Sequence, residues 1–537
     1  MGDFGQTVKT INDAVNGVVW GVPALILLIG TGILMTVLTK GFQFRRFGHM
    51  WSATIGKLFH KEGGVRKSHD SNSVSQFQAL CTALSATIGT GNIVGVAVAI
   101  TSGGPGAIFW MWIAAVLGMM TNYSENVLGI FFRRRNEKGE WSGGAMYYLR
   151  DGVGRMKYGK QVGKVLAVCF SVFAIVASFG IGNMGQAASI TESINTLVKP
   201  AVVESAGTVP GEEAALPEGA AETAPAETGG ASAETARIGT VNLVTGIALI
   251  VLLSLVILGG LKRIATTNER IVPFMAVFFI LGSLVIIFMN ITKVPAAFGA
   301  IFRGAFDFRA AAGGTAGAII ANAMTWGFKR GVFSNEAGLG SSVMVHSASN
   351  VKEPVVQGLW GIFEVFADTI IVCTCTALVI LTSGVVDLET GASVSGASKL
   401  GLATEAFTKS FGTFGGIFIA VAVCLFAFTT ILGWSYYGTK AWEYLFGTKS
   451  TVVYKVIFIA MVMLSAVMNV ELAIDLSDTF NGLMAIPNLI GVVCLSGLVV
   501  RITRNYSDRV IDGKNRSLTP MYSAFEDVQK EQEARKD

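Results

Sequence analysis

The stretch LSATIGTGNIVGVAV, residues 84–98, lies inside an apolar run long enough to cross a bilayer, yet it contains three glycines, two threonines and an asparagine. A continuous membrane helix satisfies its own backbone and leaves no polar group for a ligand. At a break, one helix end exposes carbonyls and the other exposes N–H groups with a partial positive charge. Glycine tolerates the backbone angles of such a break. The stretch therefore predicts a site for a zwitterion and a cation; the alternative is a helix-packing motif, Gly91-x-x-x-Gly95.

The chain as a whole has the composition of a membrane protein. Of its 537 residues, 52% are hydrophobic and 14% are charged, whereas soluble domains contain about 25% charged residues. Long continuous apolar runs favour helices over a barrel, whose strands are short and alternating. We expect an all-α integral membrane protein with eleven transmembrane helices, at 17–38, 75–102, 106–132, 163–196, 240–260, 270–291, 314–345, 354–383, 413–446, 452–470 and 479–501.

Several function classes have no support in the sequence. The six cysteines form no C-x-x-C pair, the four histidines are scattered, and no phosphate-binding loop of the G-x-x-x-x-G-K-[ST] type is present. A transition-metal site and ATP-driven pumping are therefore not expected. Because no nucleophile and base pair is recognisable either, we expect no enzymatic activity, no cofactor and no nucleic-acid partner.

The distribution of charge predicts the orientation in the membrane. The connection 39–74 is rich in lysine and arginine, which marks it as cytoplasmic by the positive-inside rule. The N-terminus would then lie outside and the C-terminus in the cytoplasm, with the protein in the plasma (inner) membrane. Segment 200–236 contains seven glutamates and no aromatic residue, so we expect a disordered external loop, with a ligand-capturing lid as the alternative.

The spans also predict an internal repeat. Without the first span, ten remain, and they divide into two halves of five with opposite orientation. The predicted units are an extra N-terminal helix with its basic segment (1–74), a first five-helix repeat (75–291), a second repeat (292–501) and a cytoplasmic tail (502–537). The end of the tail, SAFEDVQKEQEARKD at 523–537, is expected to be either solvated or a short surface helix. The second repeat also begins with a glycine-rich interruption, TWGFKRGVFSNEAGLGSS at 325–342. Paired interruptions point to a transport site at the bilayer midplane.

Several motifs carry a family resemblance. GGPGAIFWMWIAAVLG, residues 103–118, resembles the signature of the sodium:alanine symporter family, also called alanine or glycine:cation symporters. ATIGTGN, FGIGNMGQ, KRGVFSNEAGLGS, LGWSYYG and NGLMAIPNLIG, between residues 86 and 491, strengthen it. The resemblance implies a leucine-transporter-like fold with one extra N-terminal helix, and sodium-driven uptake of alanine or glycine. The expected partners are that substrate, Na⁺ as coupling ion, and the lipid bilayer.

The resemblance also implies which residues bind the substrate. Thr90 and Gly91, at the first break, would hold the substrate carboxylate, and Gln186 in FGIGNMGQ would be a further contact. The other implied pocket residues are Thr325, Trp326 and Gly327 at the second break, with Trp434 and Phe179 limiting the cavity. Gln186 alternatively bonds only an adjacent helix, and each aromatic residue alternatively serves ordinary packing.

A cation site follows from the same resemblance. Its ligands would be carbonyls of the first break together with a carbonyl and hydroxyls of FAFTTILGW, belonging to Ser85, Ile88, Phe426, Thr429 and Thr430. Such a cage contains only oxygen atoms, which suits a hard cation. Alternatively, the adjacent threonines bond only the preceding turn of their own helix.

Charged residues within predicted spans are candidates for gating or coupling. Glu125 lies near the inner end of its span, close to Arg133 in the sequence, and is expected at the interface or a gate. Asp368, in mid-span, predicts proton coupling, a gate or a structural hydrogen bond. Lys329 and Arg330 are candidate partners of these acids, or gate residues. The rival functions are a proton-coupled transporter of the same fold and a channel, although no filter-like repeat is visible.

Overall fold

A computed structural model describes residues 3–59, 64–68, 70, 72–198, 228–306, 316–397, 399–467 and 471–535. Within this part of the chain, eight helices are long and apolar enough to cross a membrane, or up to ten candidate spans if each of two bent helix pairs counts as one. The eight are Gln6–Leu38, Gly106–Phe131, Gly159–Val198, Gly239–Ile257, Gly260–Met289, Pro354–Ser383, Thr413–Phe446 and Thr448–Ala466. The bent pairs are Gln76–Thr87 with Thr90–Gly103, and Leu472–Cys494 with Ser496–Ile511.

The helical class predicted from the sequence is confirmed, because ten of the eleven predicted spans coincide with these candidates. The remaining one, 314–345, contains helix Ala316–Asn335, which is not among the candidate spans. The first break is confirmed as well, since the two helices on either side of it are bent by 59°. The predicted external loop 200–236 lies outside the described residues up to position 227, and helix Thr228–Ile257 begins within its last part.

Shorter elements connect the candidate spans. The short helices are Phe42–Arg45, Phe47–Trp51, Ala145–Asp151, Val294–Phe306, Val343–His346, Leu400–Phe411 and Glu526–Ala534. A small antiparallel hairpin pairs strand Arg134–Arg135 with strand Trp141–Ser142.

The C-terminal tail packs against the body of the protein. The Arg134 guanidinium lies 3.8 Å from the centre of the Phe525 ring, and Arg135 forms a 2.6 Å salt bridge with Glu531. The alternative of a solvated tail is therefore wrong, and the short surface helix, Glu526–Ala534, is confirmed. Cation–π and charge contacts with the hairpin, which the sequence of the tail does not reveal, hold it in place.

Helix Gln76–Thr87 lies between two buried apolar clusters. Its residues Ala83 and Ala86 belong to one cluster, whereas Leu84 and the following Ile88 belong to the other. The helix that leads to the first break is therefore packed against apolar side chains on both sides.

Gly106, the first residue of helix Gly106–Phe131, lies against the backbone of Gly304. A Cβ added to Gly106 would lie 2.2 Å from the Gly304 carbonyl carbon, and no side-chain rotation relieves a contact with backbone. We expect Gly106→Ala to lower the free energy of unfolding by about 1–3 kcal/mol, because overpacking a close contact has a cost of this size. Thermal unfolding of the detergent-solubilised protein measures the loss. Gly30→Ala is the matched control, because nothing lies within 4 Å of its Cβ position. Equal losses in both variants would contradict this account.

Candidate functional site

The first break is built by the side chain of Asn92. Helix Gln76–Thr87 starts with a capping box formed by Ser75 and Gln78, and it ends at Ile88. Gly89 is then fully extended, and its N–H donates to the Asn92 Oδ1 at 2.9 Å. A single turn, Thr90–Asn92, follows before helix Val94–Gly103 begins. Because Asn92 occupies the Gly89 N–H, the chain cannot continue the first helix through this point.

The break leaves two donors free. Among the residues that the structure describes, no acceptor receives the backbone N–H of Thr90 or of Gly91. Both groups lie at the edge of a cavity of about 370 Å³. Adjacent unpaired N–H groups at the start of a helix bind a carboxylate well, since they add hydrogen bonds to the positive end of the helix dipole.

The cavity also contains the third predicted substrate contact. Gln186 lines it, and the Gln186 Oε1 accepts a hydrogen bond from the Thr90 hydroxyl at 3.1 Å. The Gln186 Nε2 donates to the Ile181 carbonyl at 3.2 Å. This places a fixed amide beside the two free N–H groups. Arg330 and Phe333 also line this cavity.

The second break occupies only the last part of the interruption that the sequence predicted at 325–342. Thr325, Trp326 and Gly327 lie inside the unbroken helix Ala316–Asn335, so a pocket formed by a break at these residues is wrong. Trp326 lies against Gly103, and Gly327 lies against helix Gly106–Phe131, where a Cβ would come within 2.4 Å of the Ala107 carbonyl oxygen. The glycine at 327 therefore serves close helix packing and not an interruption.

The interruption lies at 336–342, directly after the end of helix Ala316–Asn335. Glu336, Gly338 and Gly340 all have positive φ, of 56°, 95° and 73°. A positive φ favours glycine, which occupies two of these three positions. The segment forms turns before helix Val343–His346. The residues AGLGSS within the quoted motif carried this signal, because each glycine in a helix interior costs about 1 kcal/mol relative to alanine.

Trp434 and Phe179 are not among the residues that line the cavity. Trp434 is buried against Gly182, where an added Cβ would lie 2.3 Å from the indole ring. The Phe179 ring packs on Tyr454, with ring centres 5.3 Å apart. Of the two readings that the sequence left open for these aromatic residues, the structure supports ordinary packing.

The proposed cation ligands lie where the first break touches helix Thr413–Phe446. A Cβ added to Gly89 would lie 2.6 Å from the Thr430 Oγ1, and one added to Gly433 would lie 2.7 Å from the Ser85 Oγ. A glycine on each side therefore allows the two segments to approach closely. The Ile88 carbonyl belongs to the same break, directly before Gly89.

The hydroxyl groups of this contact also bond their own helix. The Thr430 Oγ1 donates to the Phe426 carbonyl at 2.9 Å, and the Thr429 Oγ1 is 3.0 Å from the same oxygen. A hydroxyl that donates its proton keeps lone pairs for a cation, so these bonds are compatible with a ligand role. The carbonyl of Phe426, by contrast, already accepts from the Thr430 hydroxyl, and the single Thr429 proton is equally close to the Leu425 carbonyl, at 3.0 Å.

A further amide near this contact was missed by the sequence analysis. The Asn268 Nδ2 donates to the Ser85 Oγ at 2.9 Å, and Asn268 is fully buried. The Asn268 Oδ1 has no hydrogen-bond partner among the described residues. Within the same part of the chain, no group of three His, Cys, Asp or Glu residues can hold a metal ion. The atoms near Gly89 that could coordinate a cation are thus hydroxyl, carbonyl and amide oxygens. Such oxygen ligands fit Na⁺ and not a transition metal.

Asp368 is bonded directly to the first break. Its Oδ1 accepts from the Asn92 Nδ2 at 2.7 Å, and its Oδ2 accepts from the Ser334 and Thr369 hydroxyls, each at 2.8 Å. All four residues are buried. The carboxylate therefore joins the break to the end of helix Ala316–Asn335. The sequence singles out Asp368 but not its partners Asn92 and Ser334, because they come from two other segments of the chain.

The other charged candidates have different surroundings from those expected. Glu125 is buried and accepts a hydrogen bond from Asn488, whereas Arg133 donates to main-chain carbonyls of 347–351. Lys329 and Arg330 both approach the ring of Trp326, at 5.8 Å and 5.3 Å from its centre. Neither cation forms a salt bridge with Glu125 or Asp368 in the described structure, although Arg330 lines the cavity.

Comparison with known proteins places the chain in a family. The family model for the sodium:alanine symporter family matches residues 5–520. The sodium/alanine symporter AgcS of Methanococcus maripaludis is 40% identical over 514 residues, 96% of this chain and 100% of the relative. The amino-acid carrier protein AlsT of Bacillus subtilis is 31% identical over 499 residues, 93% of this chain and 91% of the relative. The crystal structure of MhsT in complex with L-phenylalanine aligns with a TM-score of 0.48 at 12% identity, over 81% of this chain and 99% of that one. This chain is a multi-pass membrane protein and belongs to the sodium:alanine symporter family.

Proposed function

We propose that the protein is a sodium-coupled symporter that imports small neutral amino acids, such as alanine or glycine, by alternating access. The observation that carries this proposal is the pair of N–H groups without an acceptor among the described residues at Thr90 and Gly91, two residues that line a cavity and follow the Gly89–Thr430 contact. The N–H side of the break suits a carboxylate and the oxygen-rich side suits Na⁺. The relatives named a sodium/alanine symporter and an amino-acid carrier support the same substrate class.

Coupling follows from the shared position of the two ligands. Sodium held by the Ile88 carbonyl and the Thr430 hydroxyl would tie the first break to helix Thr413–Phe446. The Thr90 and Gly91 N–H groups belong to the same break. Their orientation towards the substrate carboxylate would therefore depend on whether sodium links the break to helix Thr413–Phe446. Each ligand then raises the affinity for the other by the same factor, as linkage requires. Closure of the helices around the site would need both sodium and the substrate to be bound.

We extend the proposal to the architecture. Eleven spans in a leucine-transporter-like arrangement, with one extra N-terminal helix and two inverted five-helix halves, would make helix Ala316–Asn335 the first span of the second half. The breaks at 88–93 and 336–342, one in each half, support this arrangement. The basic connection 39–74 supports an external N-terminus and a cytoplasmic C-terminus.

Substrate size is predicted to depend on Phe333 and not on Trp434. Phe333 lines the cavity, and its ring lies 3.4 Å from the Cβ position of Gly91. We expect Phe333→Ala to extend the accepted substrates towards valine and leucine, because it removes a wall next to the carboxylate site. Competition of each amino acid with labelled alanine uptake measures the ranking. Trp434→Phe is the comparison and should leave the ranking of substrates unchanged. A ranking that changes in Trp434→Phe and not in Phe333→Ala would show that Trp434, and not Phe333, limits the size of the substrate.

The test of the proposed function is uptake of labelled alanine into proteoliposomes under gradients of Na⁺, Li⁺, K⁺ or protons. We expect accumulation with an inward Na⁺ gradient and none with K⁺ or with a proton gradient alone. Accumulation driven by protons without Na⁺ would overturn sodium coupling while leaving amino-acid transport intact. Passive flux without saturation would instead indicate a channel.

Proton coupling is the second candidate function, because Asp368 is the one carboxylate among the described residues that bonds directly to Asn92 of the first break. Protonation of Asp368 would remove an acceptor from Asn92 and alter the break. A coupling proton could then act through Asp368 in place of Na⁺.

Asp368→Asn distinguishes the two couplings. The amide is nearly isosteric, but it replaces a charged acceptor of hydrogen bonds that are worth about 1.5–3 kcal/mol each. Under sodium coupling we expect an alanine affinity that is weaker by about tenfold or more, with the Na⁺ requirement retained. Loss of a proton-driven component, with sodium-driven uptake preserved, would favour the proton-coupled reading. Uptake in proteoliposomes at several pH values measures both components.

A further inference from the structure

A second cavity, of about 340 Å³, lies between the end of the first span and the last helices. It is formed by the residues that follow helix Val22–Leu38 and by one side of Ser496–Tyr506 together with the turn after it. Basic side chains outnumber acidic ones on its walls, which include Lys40, Arg45, Arg46, Arg504 and Lys514 against Asp508 and Asp512. We refer to it as the basic pocket. None of these residues belongs to the proposed transport site.

Only part of this positive charge is neutralised within the protein. Arg46 and Lys514 lie 2.5 Å and 3.6 Å from the Asp512 carboxylate, and the Arg46 guanidinium holds the pKa of Asp512 below its usual range. By contrast, Lys40, Arg45 and Arg504 have no carboxylate at salt-bridge distance among the described residues. Cations that outnumber the carboxylates of a shared cavity create a positive potential that attracts an anion.

The surface above the basic pocket is apolar. Along helix Val22–Leu38, the outward-facing side chains of Val22, Ile26 and Val37 are each about two-thirds exposed, and Phe44 beside the pocket is 61% exposed. This helix is part of a candidate membrane span, so the exposed face contacts lipid chains. A polar, cationic cavity therefore meets a lipid-facing surface at the point where the span ends, which is the level of the headgroups.

We propose that the basic pocket binds the phosphodiester headgroup of an anionic phospholipid, whose acyl chains lie along the exposed face of helix Val22–Leu38. Phosphate is the anion that clustered lysine and arginine side chains bind at the membrane surface. Free phosphate would share the headgroup contacts but not the apolar ones. The bound lipid would join the first span to the last helices, and it would stabilise the fold without being required for substrate recognition.

The test is thermal unfolding of the purified full chain in neutral detergent, with increasing amounts of phosphatidylglycerol, phosphatidylcholine or inorganic phosphate. We expect phosphatidylglycerol to raise the unfolding temperature in a saturable manner, because a ligand that binds the folded state stabilises it by mass action. Phosphatidylcholine with the same chains and phosphate alone should produce little change. Native mass spectrometry should show one retained phosphatidylglycerol.

Charge-removal variants locate the effect. In a variant carrying Lys40→Gln, Arg45→Gln and Arg504→Gln, we expect the apparent affinity for phosphatidylglycerol to fall at least about tenfold. The matched control carries Lys157→Gln, Lys160→Gln and Lys164→Gln, which removes the same charge from exposed lysines at the start of helix Gly159–Phe179. It should bind phosphatidylglycerol as the parent does.

A further variant changes affinity in the opposite direction. Asp512→Asn releases Arg46 and Lys514 from their carboxylate, so it should strengthen phosphatidylglycerol binding even if the triple variant proves unstable. Equal stabilisation by inorganic phosphate would overturn the lipid assignment in favour of a simple anion site. Equal losses in the triple variant and its control would overturn the pocket itself, as would the absence of any preference for phosphatidylglycerol over phosphatidylcholine.

Discussion

The Gly89→Ala protein is expected to insert and fold but to lose sodium-dependent alanine uptake almost completely. Gly89 has φ −128° and ψ −159°, an extended conformation that alanine adopts without strain. The effect therefore comes from the new methyl group, which would lie 2.6 Å from the Thr430 Oγ1. Either the hydroxyl rotates away or the break moves from helix Thr413–Phe446. Both outcomes separate groups that we propose to share one sodium ion.

The measurement is alanine binding as a function of Na⁺ concentration, with the fold checked by thermal unfolding. Gly95→Ala is the matched control in the same bent segment, because the nearest atom to its Cβ position is the Arg330 Cδ at 3.9 Å, an ordinary contact. We expect the Na⁺ midpoint to rise by at least about tenfold for Gly89→Ala and to stay unchanged for Gly95→Ala. An unshifted midpoint in a folded Gly89→Ala protein would separate this contact from sodium binding.

Thr430→Val should produce the second large loss of sodium affinity. Here the cause is the removal of an oxygen atom and not a steric clash. Valine keeps the shape of threonine but lacks the oxygen, so the variant deletes a proposed sodium ligand next to Gly89. The lost bond to the Phe426 carbonyl is a minor cost, because a hydroxyl that bonds the preceding turn of its own helix adds little to stability. We expect the Na⁺ midpoint to rise about tenfold or more, and alanine binding at fixed Na⁺ to weaken with it.

Two comparisons make this result specific. Thr429→Val tests the neighbouring hydroxyl, which lies 3.3 Å from the Met275 sulfur and not against Gly89. A shift as large as that of Thr430→Val would keep Thr429 in the cation site, and no shift would remove it. Thr382→Val is the general control, because the Thr382 hydroxyl bonds its own helix turn at 2.7 Å. If all three variants keep the Na⁺ midpoint of the parent protein, the proposed cation site is wrong.

The candidate site was predictable to the extent that its signals are local. Thr90, Gly91 and Gln186 could be named from short motifs, and the structure brings them together around one cavity. Asn92 belonged to the same motif and was overlooked as a functional residue, although an asparagine within a span always needs a partner. Phe333 carried no comparable signal, because a phenylalanine in a membrane helix has the same pattern whether it faces a cavity, a neighbour or lipid.

The sequence by itself determined the helical membrane class, the approximate positions of the spans and the first break, because span length, hydropathy and glycine content act within one segment of chain. Only the tertiary structure decided that Gly327 packs against Ala107 while the second interruption falls at 336–342. It also decided that Asp368 bonds to Asn92 and that Thr430 lies against Gly89. These partners are far apart in the chain, and whether a glycine loosens a helix or admits a neighbour depends on which segment packs beside it.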